Sequence, residues 1–286
     1  MRLFDSHCHL QDDRLALGIE AALERAATAG VGGMACCGSS EADWAAVRRL
    51  ASKHPEIVPA YGLHPWFVSE RTGAWFDTLR DFLRDPDSVV GEIGIDHAIK
   101  GEDLDDQERV FIQQLELARE LNRPATVHCR RGWGRLLEIL GRTGGFAPGV
   151  LIHSYSGSAE LVPQLCALGA FFSFSGSITH DRNLRGRKSV PAVPDDRLMI
   201  ETDAPDLMPA IPAAVPPGAA AGEPGERGNA RVNEPANLVH VVRVVAELRG
   251  ASVERVASIA WANSCRFFRR VTTDGTPGDW RGSVVV

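Results

Sequence analysis

The feature that most constrains this chain is a rhythm in its hydrophobicity. Short apolar runs alternate with longer amphipathic stretches from the first residues to Thr202. Eight runs read as strands: Arg2–Cys8, Val31–Cys37, Ile57–Leu63, Ser88–Ile93, Pro124–Cys129, Val150–Ser154, Ala170–Ser175 and Arg197–Thr202. Between them, Leu15–Ala29, Glu41–His54, Asp105–Leu121 and Trp133–Leu140 carry apolar residues at spacings of three and four, the period of a helix with one buried face. Alternation of strand and helix predicts parallel strands joined by right-handed crossovers. Eight such units predict an α/β chain closed into a TIM-type (β/α)8 barrel, a single domain over residues 1–270. A doubly wound open sheet is the alternative, but no G-x-G-x-x-G follows the first strand.

One stretch breaks the rhythm. Residues 204–235 are rich in Pro, Ala and Gly and read as a long loop. Helices resume at Ala236–Arg249, Ser252–Trp261 and Asn263–Arg270, and residues 271–286 form a C-terminal extension without periodicity. The 286 residues are 44% hydrophobic and 24% charged, which excludes a disordered or fibrous chain. No apolar run approaches the roughly 20 residues that span a bilayer, and the segment Met1–His7 has no apolar signal region. The expectation is a cytoplasmic protein with no membrane association. The six cysteines contain no C-x-x-C pair, so they read as reduced thiols. A net charge of −6 gives the whole chain no attraction for a polyanion. Contact with nucleic acid would need a local patch or a bound cation.

Chemistry gathers at the strand ends. In Phe4-Asp5-Ser6-His7-Cys8-His9 the alternation of a strand puts His7 and His9 on one face and Cys8 on the other. Other apolar runs end in Glu92 and Asp96, in His128, in His153 and in Asp203. In β/α barrels the catalytic groups sit at that rim. Four imidazoles and two carboxylates suit two divalent cations better than one, because a cation pair clamps both the attacking and the leaving oxygen of a phosphoryl displacement. Glu92 can bridge the pair, and Asp203 can hold a cation and take the proton from an activated water. Imidazole suits Zn, Mn or Co and carboxylate suits Mg or Mn, so Mg, Mn and Zn all remain candidates.

At this point the sequence resembles the TatD-type metal-dependent deoxyribonucleases of the amidohydrolase superfamily. The matching motifs are FDSHCHL (Phe4–Leu10), GLHP (Gly62–Pro65), GEIGID (Gly91–Asp96) and VHCR (Val127–Arg130). They continue with HSYSG (His153–Gly157), SFSGSIT (Ser173–Thr179), ETDAP (Glu201–Pro205) and NEPANL (Asn233–Leu238). The resemblance covers about residues 3–270. It implies a barrel that hydrolyses DNA phosphodiesters, with His7, His9, Glu92, His128, His153 and Asp203 as metal ligands. The histidine of its Gly-x-His-Pro motif falls on His64, which is expected near the scissile phosphate as a hydrogen-bond donor. The loop after Asp203 is longer than usual for the family, and Ser154-Tyr155 stands where Cys-Phe is more frequent.

The expected activity is therefore metal-dependent cleavage of DNA, as an exonuclease on single strands or ends. Two alternatives remain open: a C–N or ester hydrolase acting on a small molecule or an aminoacyl ester, and a metal-holding subunit of a repair, defence or quality-control assembly. Arg130 and Arg131 either bind phosphate or pair with a neighbouring carboxylate. The basic run Arg182, Arg185, Arg187 and Lys188 reads as a solvated face or a track for DNA backbone. Trp66 and Phe67 pack as a lid or stack a base. His54, His97, His180 and His240 read as surface or loop histidines, with His97 also placed for a supporting role.

Overall fold

The computed structural model describes residues 1–101, 103–142, 144–211 and 232–268. Eight strands form one parallel sheet in chain order. They are β1 (Leu3–Cys8), β2 (Val31–Cys37), β3 (Ile57–Tyr61), β4 (Val89–Asp96), β5 (Ala125–Arg130), β6 (Val150–Ile152), β7 (Ala170–Phe174) and β8 (Leu198–Ile200). The helices between them are α1 (Asp13–Ala16) and α2 (Ile19–Thr28), α3 (Glu41–Lys53), α4 (Trp75–Phe82), α5 (Leu104–Glu120), α6 (Trp133–Arg142), α7 (Val162–Ala167) and α8 (Leu184–Ser189). After β8 come α9 (Leu238–Arg249) and α10 (Val253–Phe267). This is the expected TIM-type barrel.

The ladders stop short of the sequence-based strand ends at β3, β6 and β8. The residues just beyond them, His64, His153 and Asp203, leave the sheet and turn toward the mouth. Ser154 and Asp203 adopt positive φ angles of 42° and 56°, so the turns at two of these strand ends are held in a sparsely populated region. The predicted helix Leu15–Ala29 is two helices instead. The Asp12 carboxylate accepts from the Arg14 N–H and caps α1, and Leu17-Gly18 forms the break before α2. Conversely, Ser252–Trp261 and Asn263–Arg270 are one helix as far as Phe267, because Ala262-Asn263 contains no breaker. Helices α7 and α8 have no counterpart among the expected helices, and neither has α4. Trp75 and Leu79 are its buried positions, a spacing of four within a short segment.

The barrel closes between β8 and β1 through side chains as much as backbone. The Asp203 N–H donates to His7 O (3.0 Å) and the His9 N–H to Ala204 O (2.7 Å). Ser6 Oγ donates to Ile200 O at 3.0 Å. The buried Asp5 carboxylate accepts from the Thr202 N–H at 2.8 Å and from the Thr202 hydroxyl. This seam sets His7, His9 and Asp203 side by side.

Two glycines shape the opposite part of the mouth. Gly91 and Gly94 have φ of +145° and +146°, which side-chain-bearing residues rarely adopt. A Cβ on Gly91 would lie 1.9 Å from Thr126 Oγ1, and one on Gly94 2.0 Å from His128 O. The β4–β5 register shifts between Val90 and Ile93, the stretch that carries Glu92. The glycines thus let β4 approach β5 closely and bulge as it delivers Glu92 to the mouth.

Apolar residues of the sheet and the surrounding helices form the main core. A second cluster includes Phe4, Ala35, Val58 and Met199 together with Trp261, Cys265 and Phe268 of the α10 region. Phe268 stacks on Phe4 with centroids 5.1 Å apart and planes 5° apart. Helix α10 therefore packs at the end where β1 begins, away from the mouth. The described flanks of the 204–235 segment meet. The Asn233 N–H donates to Pro205 O (3.1 Å), and Asn233 Nδ2 donates to Thr202 O (3.0 Å) and Asp206 O (2.7 Å). Glu234 takes a two-point contact from Arg25 (2.9 and 2.6 Å). Most of that loop, and the extension 271–286, lie outside the described residues. No described helix is long and apolar enough to cross a membrane.

All six cysteines are free, and only Cys166 is not buried. Burial pushes the Cys36 and Cys129 thiols up to about 12. The native protein is expected to expose at most one thiol to Ellman's reagent at pH 8, and six after denaturation; three or more reactive native thiols would contradict this packing. Gly91→Ala is expected to cost about 2–5 kcal/mol, the sum of backbone strain and overpacking. An unfolding free energy from urea titration within about 1 kcal/mol of the parent would show that Gly91 is replaceable.

Candidate metal centre

Glu92 sits at the middle of the mouth, buried, with its two carboxylate oxygens facing different partners. Oε2 lies 3.3 Å from His7 Nε2 and 3.5 Å from His9 Nε2. Oε1 lies 2.8 Å from His153 Nε2, 3.2 Å from His128 Nδ1 and 3.3 Å from His64 Nε2. Asp203 Oδ1 closes the first group, 3.7 Å from His7 Nε2 and 3.5 Å from His9 Nε2. All six expected ligands converge here. Three subsets bring their ligand atoms within 4.8 Å of one another: His7, His153 and Asp203; His7, His9 and Glu92; and His64, Glu92 and His128.

The outer nitrogens of these rings face protein groups, by hydrogen bond at His9 and His128 and by proximity at His153. His9 Nδ1 donates to Cys37 O at 2.8 Å, which turns its Nε2 lone pair inward. His128 Nε2 lies 3.2 Å from Asp96 Oδ2, leaving Nδ1 for the centre. His153 Nδ1 lies 3.4 Å from Glu201 Oε1. His7 Nδ1 faces the Cys37 thiol at 3.4 Å. An anchored outer nitrogen selects the tautomer and orientation that a metal-binding imidazole needs. His64 differs. Its Nδ1 accepts from the Trp66 N–H at 3.1 Å, so the proton of the neutral ring sits on Nε2, pointing at Glu92. That tautomer donates a hydrogen bond and offers the centre no lone pair.

Burial and the neighbouring carboxylates together set the charges of these groups. Burial opposes ionisation of Glu92, but His64, His153 and His7 outweigh it and hold the carboxyl well below its usual range. Burial also opposes protonation of His9, yet its bond to Asp203 and the charge of Glu92 push it up to about 9. His128 and His153 are likewise raised against burial by their carboxylate neighbours. His7 and His64 go the other way: burial lowers both, and brings His64 down to about 4, so it stays neutral. The same lone pairs that attract protons so strongly attract divalent cations. One buried and one half-buried carboxylate facing imidazoles fit a divalent-metal site, and a hydrophobic core has no use for them.

Three comparisons with known proteins bear on this centre. Residues 4–269 match the family model described as TatD related DNase. A relative from Erwinia billingiae named 3'-5' ssDNA/RNA exonuclease TatD is 32% identical over 270 residues, covering 93% of this chain and 99% of the relative. The chain belongs to the TatD related DNase family. A Bacillus subtilis relative, the uncharacterized metal-dependent hydrolase YabD, is 29% identical and covers 93% of this chain and 99% of its own. The crystal structure of YjjV, a TatD homologue from Escherichia coli, superposes with a TM-score of 0.82 at 27% identity, over 94% of this chain and 98% of that one.

The other residues singled out in this TatD-family sequence separate cleanly. Arg130 and Arg131 are exposed beside His128, and neither pairs with a carboxylate among the described residues. Arg187 of the basic run donates to Ile178 O at 3.1 Å, while Arg182, Arg185 and Lys188 face solvent. Phe67 packs against the core, and Trp66 points outward. His54, His97 and His180 are partly buried and lie outside the cluster. His240 departs from its surface reading: it is buried on α9, the inward face of an apolar helix.

Sequence reasoning assigns no role to the supports. Asp5, Asp96 and Glu201 are all wholly buried, and each accepts several hydrogen bonds. Glu201 accepts from the Ser154 N–H (2.7 Å) and the Ser173 hydroxyl while facing His153. Their only sequence signal was a carboxylate inside an apolar strand motif beside a stronger candidate. Glu201→Gln is expected to weaken cation binding about 10- to 100-fold with the fold retained, the usual cost of altering a partner behind a metal-binding histidine. Titration with Mn or Zn by calorimetry checks this, and an unchanged affinity would remove Glu201 from the site.

Proposed function

We propose that this TatD-family hydrolase cleaves DNA phosphodiester bonds with two divalent cations, acting on single strands or ends as an exonuclease. The observation that carries the reading is the division of Glu92. One oxygen faces His7 and His9 in the group completed by Asp203, and the other faces His128 and His153. A carboxylate shared in this way fits a bridging ligand between two cations. The relative's name as an exonuclease supports the substrate class.

In this reading His7, His9, Glu92, His128, His153 and Asp203 would hold the cations. Divalent cations bound there, whether Mg, Mn or Zn, supply Lewis acidity for the phosphate and activate water near neutral pH. The protein's own groups do the rest. Asp203 is held low by His9 and keeps a carboxylate oxygen free to accept the proton of the attacking water. His64, neutral and with Nε2–H turned inward, donates to a phosphate oxygen of the substrate. The free guanidinia of Arg130 and Arg131 bind the neighbouring backbone phosphates in bidentate fashion. The barrel over residues 1–270 is one catalytic unit, and its free thiols suit the cytoplasm.

End-labelled single-stranded DNA incubated with Mg, Mn or Zn is expected to shorten, and the reaction to stop on chelation. Absence of chelator-sensitive cleavage with every cation would overturn the reading. Asp203→Asn is expected to lose about 100-fold or more in rate, the size of a lost general base. Its circular dichroism and cooperative melt should remain native, and global unfolding of that variant would leave the rate loss without catalytic meaning.

A further inference from the structure

Trp66 is the one large aromatic side chain among the described residues that is substantially exposed, at 46%. It stands beside the centre. Its ring is 5.1 Å from that of His64 at 90°, and 6.2 Å from that of His128. It is also fixed. The indole N–H donates to the buried carboxylate of Asp96 at 2.7 Å, so the polar edge is consumed inward and hydrocarbon is left outward. The 3-10 turn Pro65–Glu70 that carries it begins at His64, whose Nδ1 accepts the Trp66 N–H. A tryptophan whose indole N–H is bonded inward, on a turn whose backbone is tied to His64, has already lost much of its rotamer freedom, so a contact made on it costs little further ordering.

Six large apolar side chains are exposed among the described residues: Met1, Leu17, Trp66, Leu104, Leu184 and Leu207. Trp66 alone is aromatic, and it alone touches the histidines of the centre.

We propose that Trp66 is a stacking platform for an unpaired nucleobase next to the scissile phosphodiester. The proposal rests on the nuclease reading above. A base is separated from its own phosphate by a single sugar, so a phosphodiester at the centre brings a flanking base over the neighbouring indole. The chain's net charge of −6 offers a polyanion no general attraction, which places weight on local contacts that do not depend on charge. Stacking on an aromatic face is also tolerant of sequence, because every base has such a face. Phe67, the adjacent aromatic, is turned into the core and cannot share this role.

The test uses single-stranded oligonucleotides whose cleaved linkage is flanked either by ordinary nucleotides or by abasic ones. Wild-type protein is expected to prefer the base-bearing strand about tenfold or more in kcat/KM, the range of one stacked base. In Trp66→Ala that ratio should fall close to one, through KM. Trp66→Phe should keep most of the preference, since it retains an aromatic face while losing the N–H and the smaller ring of the indole. A preference that survives in Trp66→Ala, or its absence in wild type, overturns the proposal. So does a Trp66→Phe variant as impaired as Trp66→Ala with the loss in kcat, because Trp66 would then act by positioning Asp96 and His128. Anisotropy of the same fluorescein-labelled strands without added cation separates the two readings. Preferential binding of the base-bearing strand without cleavage by any cation would overturn the nuclease reading and leave the platform standing. Equal binding of both strands would overturn the platform.

Discussion

A buried carboxylate surrounded by imidazoles from four different strand ends is the constraint around which the molecule is organised. Glu92 is almost wholly removed from water, and a charge in that position persists only with partners close by. His7, His128, His153 and His64 supply them at 2.8–3.3 Å. Each of these side chains comes from the end of a different strand. The centre therefore exists only while the barrel holds those ends in register, and the barrel must tolerate a polar cavity at its mouth.

Two structural devices meet that requirement. At β4, Gly91 and Gly94 let the strand bulge against β5 and turn Glu92 into the cavity. At the β8–β1 seam, Asp5 grips Thr202, and the backbone of His7 and His9 is bonded to that of Asp203 and Ala204. The seam side chains are short and buried, so they fix geometry more tightly than exposed pairs would. Behind the rings, Cys37, Asp96 and Glu201 hold the outer faces of His9, His128 and His153. At the opposite end α10 carries the apolar packing, with Phe268 on Phe4. Stability and chemistry are thus divided between the two ends of the barrel, as β/α barrels commonly divide them.

The glutamate's division between two groups of histidines also explains why His64 stands apart. Its Nδ1 is occupied by the Trp66 N–H, and burial keeps it neutral. It is as near to Glu92 as the expected ligands are, but its proton faces the centre. Distance alone would have counted it with them; the direction of one backbone hydrogen bond separates it.

Much of this was legible in the chain. Eight apolar runs alternating with amphipathic stretches specify parallel strands and crossovers, because the period of each run reflects which faces are buried. His7, His9, Glu92, His128, His153 and Asp203 were legible because polar ligand types at strand ends conflict with a hydrophobic core. Helix α4 and the break at Leu17-Gly18 were not, since short segments carry too few periods to decide. The supporting carboxylates Asp5, Asp96 and Glu201 were hidden because their significance lies in what they face across the barrel, and local sequence holds no record of that. Sequence by itself determined the kind of barrel and the residue types at its rim. Only the tertiary structure decided which nitrogen of each ring points inward, which oxygen of Glu92 meets which histidine, and that Trp66 rather than Phe67 faces solvent. Those are relations between distant segments, set by packing and by hydrogen bonds that form only when the strands are brought together.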